Sequence, residues 1–373
     1  MNSKSDFFAG KCCVVTGAGG TVGSEITRQL LALGVREVRA LDNSESALWQ
    51  LENEIETPQV GFYLVDVCNE DHLIRHFQDV DYVFHAAALK HVPFCERHPS
   101  AAIETNVRGV EAVINAALRC NVERVLFTSS DKAVNSTNLM GATKFVGERM
   151  ITAANNMVSQ TQSTRFASTR FGNVAMSNGS VIPRFLDQIA NNRPLTVTDP
   201  DMTRFMMSIE ESVKLVIESM LHMRGGEVFV TLMPSVRIGD LAEVLVEELS
   251  PLGEKAPGDA VKIIGARPGE KLYEELTNEE EIARSWLWND MIVVLPAFRN
   301  IYGYIDYSSY ESEGRRMTKV YNSHKEPCLT KDELRAFLHD LGVLDEARRL
   351  KASATASDEA AILEYPATRA VAG

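Results

Sequence analysis

Thr16-Gly17-Ala18-Gly19-Gly20-Thr21-Val22-Gly23 lies between an apolar run, Lys11–Gly17, and an amphipathic stretch, Val22–Leu33. A strand that turns through spaced glycines into a helix is the architecture that seats a pyrophosphate. Glycine permits the sharp turn, lets the ligand approach the backbone, and lets the helix pack closely on the strand. The helix N-terminus then offers free N–H groups and partial positive charge. Gly17, Gly20 and Gly23, with Thr21 and Val22 at the helix start, are therefore the first candidate cofactor contacts.

Outward from this loop the same rhythm repeats. Glu37–Leu41, Gly61–Val65, Tyr82–Ala86, Arg124–Thr128 and Ser168–Phe171 read as strands. Ser44–Ile55, Glu70–Phe77, Ala101–Arg119 and Leu139–Asn156 read as the helices between them. Strands that are apolar throughout, alternating with helices, form a parallel sheet covered on both faces. Right-handed crossovers make it a Rossmann-like, doubly wound α/β fold. Beyond Gly172 the rhythm loosens. Helices are expected at Val181–Ala190, Ser208–Met223 and Ile238–Leu249, with strands at Leu195–Val197, Val228–Thr231 and Val261–Ile264. The expected organisation is a dinucleotide-binding domain with the catalytic residues over 1–174 and a smaller α/β substrate-binding lobe over 175–350, some of whose segments return to the main sheet. A disordered Ala/Ser/Thr-rich tail is expected over 351–373.

Composition narrows the function classes. The 373 residues carry a net charge of −13, which argues against a general nucleic-acid or anionic-membrane binder. No apolar stretch is long enough to cross a bilayer, and the N-terminus has no secretory pattern, so a cytoplasmic protein is expected. Cys12, Cys13, Cys68, Cys95, Cys120 and Cys328 show no metal-binding spacing and are expected as reduced thiols, with no metal site.

The second strand ends in Asp42. A carboxylate there accepts hydrogen bonds from both ribose hydroxyls and repels a 2′-phosphate, which selects NAD over NADP. Asp66 and Val67 follow the third strand beside the expected adenine position. Ala86, Ala87 and Ala88 keep side chains small after the fourth.

The fifth strand ends in Ser129-Ser130-Asp131-Lys132, at the carboxyl edge where such sheets hold ligands. Further on, Met140-Gly141-Ala142-Thr143-Lys144 opens a long helix. The glycine loop, Asp42 and Lys144 together resemble the extended short-chain dehydrogenases. In that superfamily a tyrosine one helical turn before the lysine acts as the base, its pKa lowered by the ammonium. Here that position is Met140, and a thioether exchanges no proton.

Ser130-Asp131-Lys132, the Met140–Lys144 segment, His85-Ala86-Ala87-Ala88-Leu89-Lys90-His91-Val92-Pro93 and Arg170-Phe171-Gly172-Asn173-Val174 resemble nucleotide-sugar 4,6-dehydratases, from about residue 8 to about residue 295. The nearest likeness is the UDP-N-acetylglucosamine 4,6-dehydratases of bacterial surface-glycan synthesis, in the configuration-retaining branch that carries methionine for tyrosine. The resemblance implies a tightly bound, recycled NAD and a UDP-linked N-acetyl sugar. It makes Asp131 the acid and Lys132 the base that removes H5, with Ser130 accepting or relaying the C4 hydroxyl proton and Lys144 on the nicotinamide ribose. These roles demand a raised pKa for Asp131 and a depressed one for Lys132.

It further implies Asn106 as a cofactor contact, and Lys90, His91, Asn173, Ser180, Val181, Arg204, Arg267 and Glu270 as substrate contacts. Many retaining relatives carry membrane helices and an N-terminal domain, so this chain is read as a soluble form or an excised catalytic domain. A homo-oligomer is expected, and Phe145, Val146, Met150 and Ile151 fit either its interface or the core. The residues leave open an inverting, C5-epimerising dehydratase, a GDP-linked substrate, a 4-epimerase, and a non-catalytic NAD-binding regulator.

Overall fold

The computed structural model describes residues 4–158, 163–177, 179–249, 260–266, 269–346 and 349. The expected tail over 351–373 lies outside them. The described strands are β1 (Cys12–Thr16), β2 (Glu37–Asp42), β3 (Val60–Leu64), β4 (Tyr82–His85), β5 (Arg124–Thr128), β6 (Arg165–Arg170), β7 (Asn173–Val174), β8 (Leu195–Val197), β9 (Thr203–Met207), β10 (Val228–Thr231), β11 (Ser235–Arg237), β12 (Val261–Ile263), β13 (Ser285–Trp288), β14 (Met291–Val294) and β15 (Arg315–Arg316).

The main sheet has ten strands in the order β15-β13-β14-β10-β6-β5-β4-β1-β2-β3. From β3 to β10 every neighbour pair is parallel. The strand order reverses between β1 and β4, so crossovers leave in opposite directions and a cleft opens above their carboxyl ends. Thr16 at the end of β1 stands opposite His85 at the end of β4. Fully apolar strands such as Cys12–Val15 are buried because helices cover both faces.

One apolar cluster, including Val15, Ile26, Phe84 and Leu126, fills one face of this sheet. Another, including Val14, Val83, Val113 and Phe127, fills the other. A separate core of Ile182, Phe185, Leu241 and Leu245 binds the second-half helices around β8 and β9. The β7-β9-β11 sheet bridges from the end of β6 into this lobe.

Three differences from the sequence reading matter. The helix expected over Ala101–Arg119 is interrupted: Pro99–Ile103 passes through a π-helical stretch, Glu104–Arg108, into Gly109–Arg119. Strands β13 to β15 extend the sheet antiparallel beyond β10. A helix over Lys331–Asp340, started by a Thr330–Glu333 capping box, packs on the lobe. Of the residues that fit either interface or core, Ile151 is fully buried, whereas Phe145 and Val146 are 37% and 42% exposed. Among the described residues no helix is long and apolar enough to cross a membrane.

Arg170 ends β6 with its side chain fully enclosed. Its guanidinium donates to Glu148 at 2.8 and 2.6 Å, to Glu281 at 2.9 and 2.8 Å, and to the Leu276 carbonyl at 3.1 Å. Burial alone would raise the pKa of Glu281, but the charge of Arg170 holds it below the ordinary range. Arg170→Met strands two carboxylates without their cation, and removing one partner of a buried ion pair costs about 3–5 kcal/mol. The wild-type contribution is present above the ordinary glutamate pKa and fades as acid protonates Glu281. In the variant, Glu281 without its cation instead gains by protonation. Urea denaturation should therefore show the variant's deficit largest at neutral pH and narrower at mildly acidic pH. An equal deficit at both would contradict this role.

Candidate active site

The glycine loop is shaped by contact as well as by conformation. Gly17 has φ +68°, and a Cβ there would fall 2.6 Å from the Ala87 nitrogen. Ala86 N–H donates to the Thr16 carbonyl, so the β1 and β4 exits are tied together beneath the cleft. The helix Thr21–Ala32 starts at Gly20, which supplies no side-chain cap, leaving its first N–H groups to a ligand. Asp42 accepts from the Gly19 and Ser44 N–H groups, each at 2.9 Å. The helix after Asp42 is capped by Ser44, so Asp42 is not its cap. Asp66 is exposed and Val67 is buried against Gly109.

Asn106 is enclosed and committed to the protein. It accepts from Leu89 N–H at 2.8 Å and donates to the Leu89 carbonyl and the Thr143 hydroxyl, both at 3.0 Å. It therefore fixes the loop after β4 against the helix Leu139–Ala154. His85 contacts the Thr16 hydroxyl at 2.7 Å, and burial, then the charge of Lys144, pull its pKa down to about 3, so the ring is neutral.

On the Leu139–Ala154 helix, Met140 lies in a small apolar cluster with Cys95 and Ala102. No ionisable group occupies the tyrosine position. Lys144 donates to the Thr128 carbonyl at 2.8 Å, and burial pulls its pKa down to about 8 against the opposing pull of Glu148. Gly141 allows the helix to press onto the loop after β5, because a Cβ there would fall 2.1 Å from the Lys132 carbonyl oxygen.

Ser130, Asp131 and Lys132 form one hydrogen-bonded group. Ser130 Oγ donates to Asp131 Oδ1 at 2.6 Å, and Lys132 Nζ lies 3.1 Å from both Asp131 oxygens. The charge states expected from the sequence are reversed in this arrangement. Burial would raise the Asp131 pKa, but the Lys132 ammonium and the Ser130 hydroxyl hold it below the ordinary value. Burial would likewise lower Lys132, but Asp131 and Glu274 hold it above. At rest the pair is carboxylate and ammonium.

Glu274 is the group that the sequence reading missed. It is 5% exposed and accepts from Asn173 Nδ2 at 2.9 and 3.1 Å and from Phe205 N–H at 3.1 Å. Arg204 Nε lies 3.3 Å and Lys132 Nζ 3.9 Å from its Oε1. Burial, then the charge of Asp131, push its carboxyl up to about 7. The sequence offered one clue: Glu274 lies shortly after Glu270, an expected substrate contact.

A cavity of about 300 Å³ joins this cluster to the second lobe. Asn173, Ser180, Val181, Arg204 and Glu270, all named above as candidate substrate contacts, line it together with Arg184 and Lys271. Lys90 and His91 do not line it. The His91 ring packs over Gly179, and Lys90 loses pKa through burial and the charge of Lys132. Arg267 lies outside the described residues.

The chain resembles several known proteins along nearly its whole length. It is 44% identical to an uncharacterised membrane protein, MJ1061, of Methanocaldococcus jannaschii, covering 91% of this chain and 98% of that one. It is 36% identical to a protein named UDP-glucose 4-epimerase in Rickettsia felis, with coverage again of 91% and 98%. The solved structure of Pen from Bacillus thuringiensis superposes with a TM-score of 0.81 at 36% identity, covering 90% of this chain and 98% of that one. Residues 13–296 match a family described as polysaccharide biosynthesis protein, and the chain, with its Rossmann-like sheet and Ser130-Asp131-Lys132 cluster, belongs to that family.

Proposed function

We propose that this chain is an NAD-dependent nucleotide-sugar 4,6-dehydratase acting on UDP-N-acetylglucosamine with retention at C5. The observation that carries the reading is the Asp131–Lys132 pair facing a sugar-sized cavity, with a proton-inert Met140 where a tyrosine would serve. Elimination of water across C5–C6 needs an acid and a base side by side. Oxidation and reduction at C4 alone need neither.

The cradle fits NAD. A Cβ at Gly17 would fill the space against Ala87, the helix start at Gly20 keeps uncapped N–H groups, and Asp42 at the end of β2 would hold a ribose. When bound, NAD supplies the acceptor for a hydride from sugar C4 and its return at C6, so it is regenerated in each cycle. Lys144 would lend its positive charge to the nicotinamide end of such a cofactor.

The chain's own residues handle the protons. Ser130 accepts the C4 hydroxyl proton and passes its own along the 2.6 Å bond to Asp131. Asp131, now neutral, protonates the departing C6 hydroxyl. Its neutralisation removes the charge that kept Lys132 protonated, and burial then favours the free amine that takes H5. The Lys132 ammonium exchanges with solvent and delivers a proton to C5 on the same face. The resting ion pair and the acid–base roles are thus successive states of one group.

A 4-epimerase is the second reading, favoured by the name of the Rickettsia felis relative. Incubation with UDP-N-acetylglucosamine in deuterated water, followed by proton NMR, separates the two. A C6 methyl signal with deuterium at C5 is expected, and the C5 configuration assigns retention or inversion. Inversion at C4 without a methyl signal would establish the epimerase. No turnover of UDP- or GDP-linked N-acetylglucosamine would overturn the dehydratase reading.

Lys132→Met should lower turnover by roughly 100-fold or more, the scale of a lost general base. Bound NAD, read by absorbance after denaturation, should be unchanged. Near-normal turnover would remove Lys132 as the base.

A further inference from the structure

Lys132 is an ammonium at rest but must be an amine to remove H5, so its proton needs a destination. Asp131 cannot supply one, since it is occupied by the proton arriving through Ser130. Besides Asp131, the carboxylate paired with Lys132 is Glu274, 3.9 Å from Nζ. We propose that Glu274 is a positioning residue that takes the Lys132 proton and gives it back once per turnover. The inference rests on the dehydratase reading above.

The geometry favours exchange over a purely structural role. The Glu274 carboxylate is held on its far side by Asn173, Phe205 N–H and Arg204, which fix it in place without neutralising it by proton transfer. Both Glu274 and Lys132 line the cavity, so a ligand there removes water from the space between them. A neutral amine and a neutral acid are favoured over an ion pair as water leaves. An acceptor whose affinity for a proton lies near neutrality is suited to hold one transiently, and Glu274 is pushed up to about 7. The charged groups facing it are Asp131 and Lys132 from the loop after β5 and Arg204 from β9. On its own loop, Glu275 pairs with Lys271 at 3.7 Å, and Glu270 lies 3.9 Å from Arg204.

The step is a proton transfer only. An N–H bond of Lys132 breaks and an O–H bond forms on Glu274 Oε1. Lys132 then takes H5, exchanges it with solvent, delivers a proton to C5, and recovers the proton held by Glu274. The C4 hydroxyl proton leaves in water by way of Ser130 and Asp131. Every group ends as it began.

Glu274 must be ionised to accept, so the wild-type turnover should rise with pH through about 7 and then level off. Glu274→Gln keeps an acceptor oxygen for Phe205 N–H but takes no proton. It should lower turnover at neutral pH by roughly 100-fold and recover in alkaline buffer, where Lys132 loses its proton to solvent. Glu274→Asp should keep the neutral limb. If Glu274→Gln lowers turnover with an unchanged pH profile, or leaves both unchanged, the proposal is overturned.

A second measurement is independent of turnover. Carbon NMR of the wild type labelled at glutamate carboxyls should show one signal titrating near neutrality. That signal should be absent in Glu274→Gln and shifted to lower pH in Asp131→Asn, which removes the neighbouring negative charge. If the wild type forms no dehydrated sugar, the dehydratase reading fails while this titration still judges Glu274. If no such signal exists, the Glu274 proposal fails even where dehydration is observed.

Discussion

The site is held together by one buried guanidinium. Arg170 ends β6 and binds, in the same plane, Glu148 on the helix of Met140 and Lys144, Glu281, and the carbonyl of Leu276 just beyond Glu274. Burying such charges costs several kcal/mol per ion, and only a near-complete set of hydrogen bonds offsets it. Its effect is geometric: the lysine helix, the loop of Glu274 and the end of β6 cannot shift independently. The proposed proton transfers, over 2.6 Å from Ser130 to Asp131 and 3.9 Å from Lys132 to Glu274, would tolerate little further misplacement, so a rigid clamp behind these groups would serve the chemistry as much as the fold.

How much of this was legible from residues varies with the range of the interaction that decides it. The parallel strands were plain because β1, β4 and β5 are apolar runs that a doubly covered sheet requires. The antiparallel extension was missed, although its turn residues carry a recognisable mark. Asn289 and Asp290, between β13 and β14, have φ of +47° and +60°, which is where asparagine and aspartate are tolerated in a tight hairpin. The break ahead of Gly109–Arg119 left no such mark: Asn106, which lies within it, binds Leu89 and Thr143, partners distant in sequence.

The candidate site divides in the same way. Asp131, Lys132, Lys144 and the inert Met140 could be picked out by their positions at a strand end and a helix start. Their charge states could not. Those depend on Glu274, which is distant in sequence, and on a Lys132 placement that puts Nζ equally near both Asp131 oxygens. Residue type and spacing identify which atoms are ionisable, and only three-dimensional proximity decides which of them carries the proton.

Asp131, Glu274, Lys132 and Arg204 cancel one another in formal charge, with an oxygen of Glu274 facing both cations. With Glu274 ionised the quartet is electroneutral and casts little field into the cavity mouth. On the proposed function, capture of an anionic substrate would then fall to cations elsewhere on the cavity wall, where Arg184 and Lys271 lie. Added salt, which screens long-range attraction, would bear on arrival at the site and hardly on the exchange of protons within it. Affinity and turnover would thereby respond to different properties of the surrounding solution.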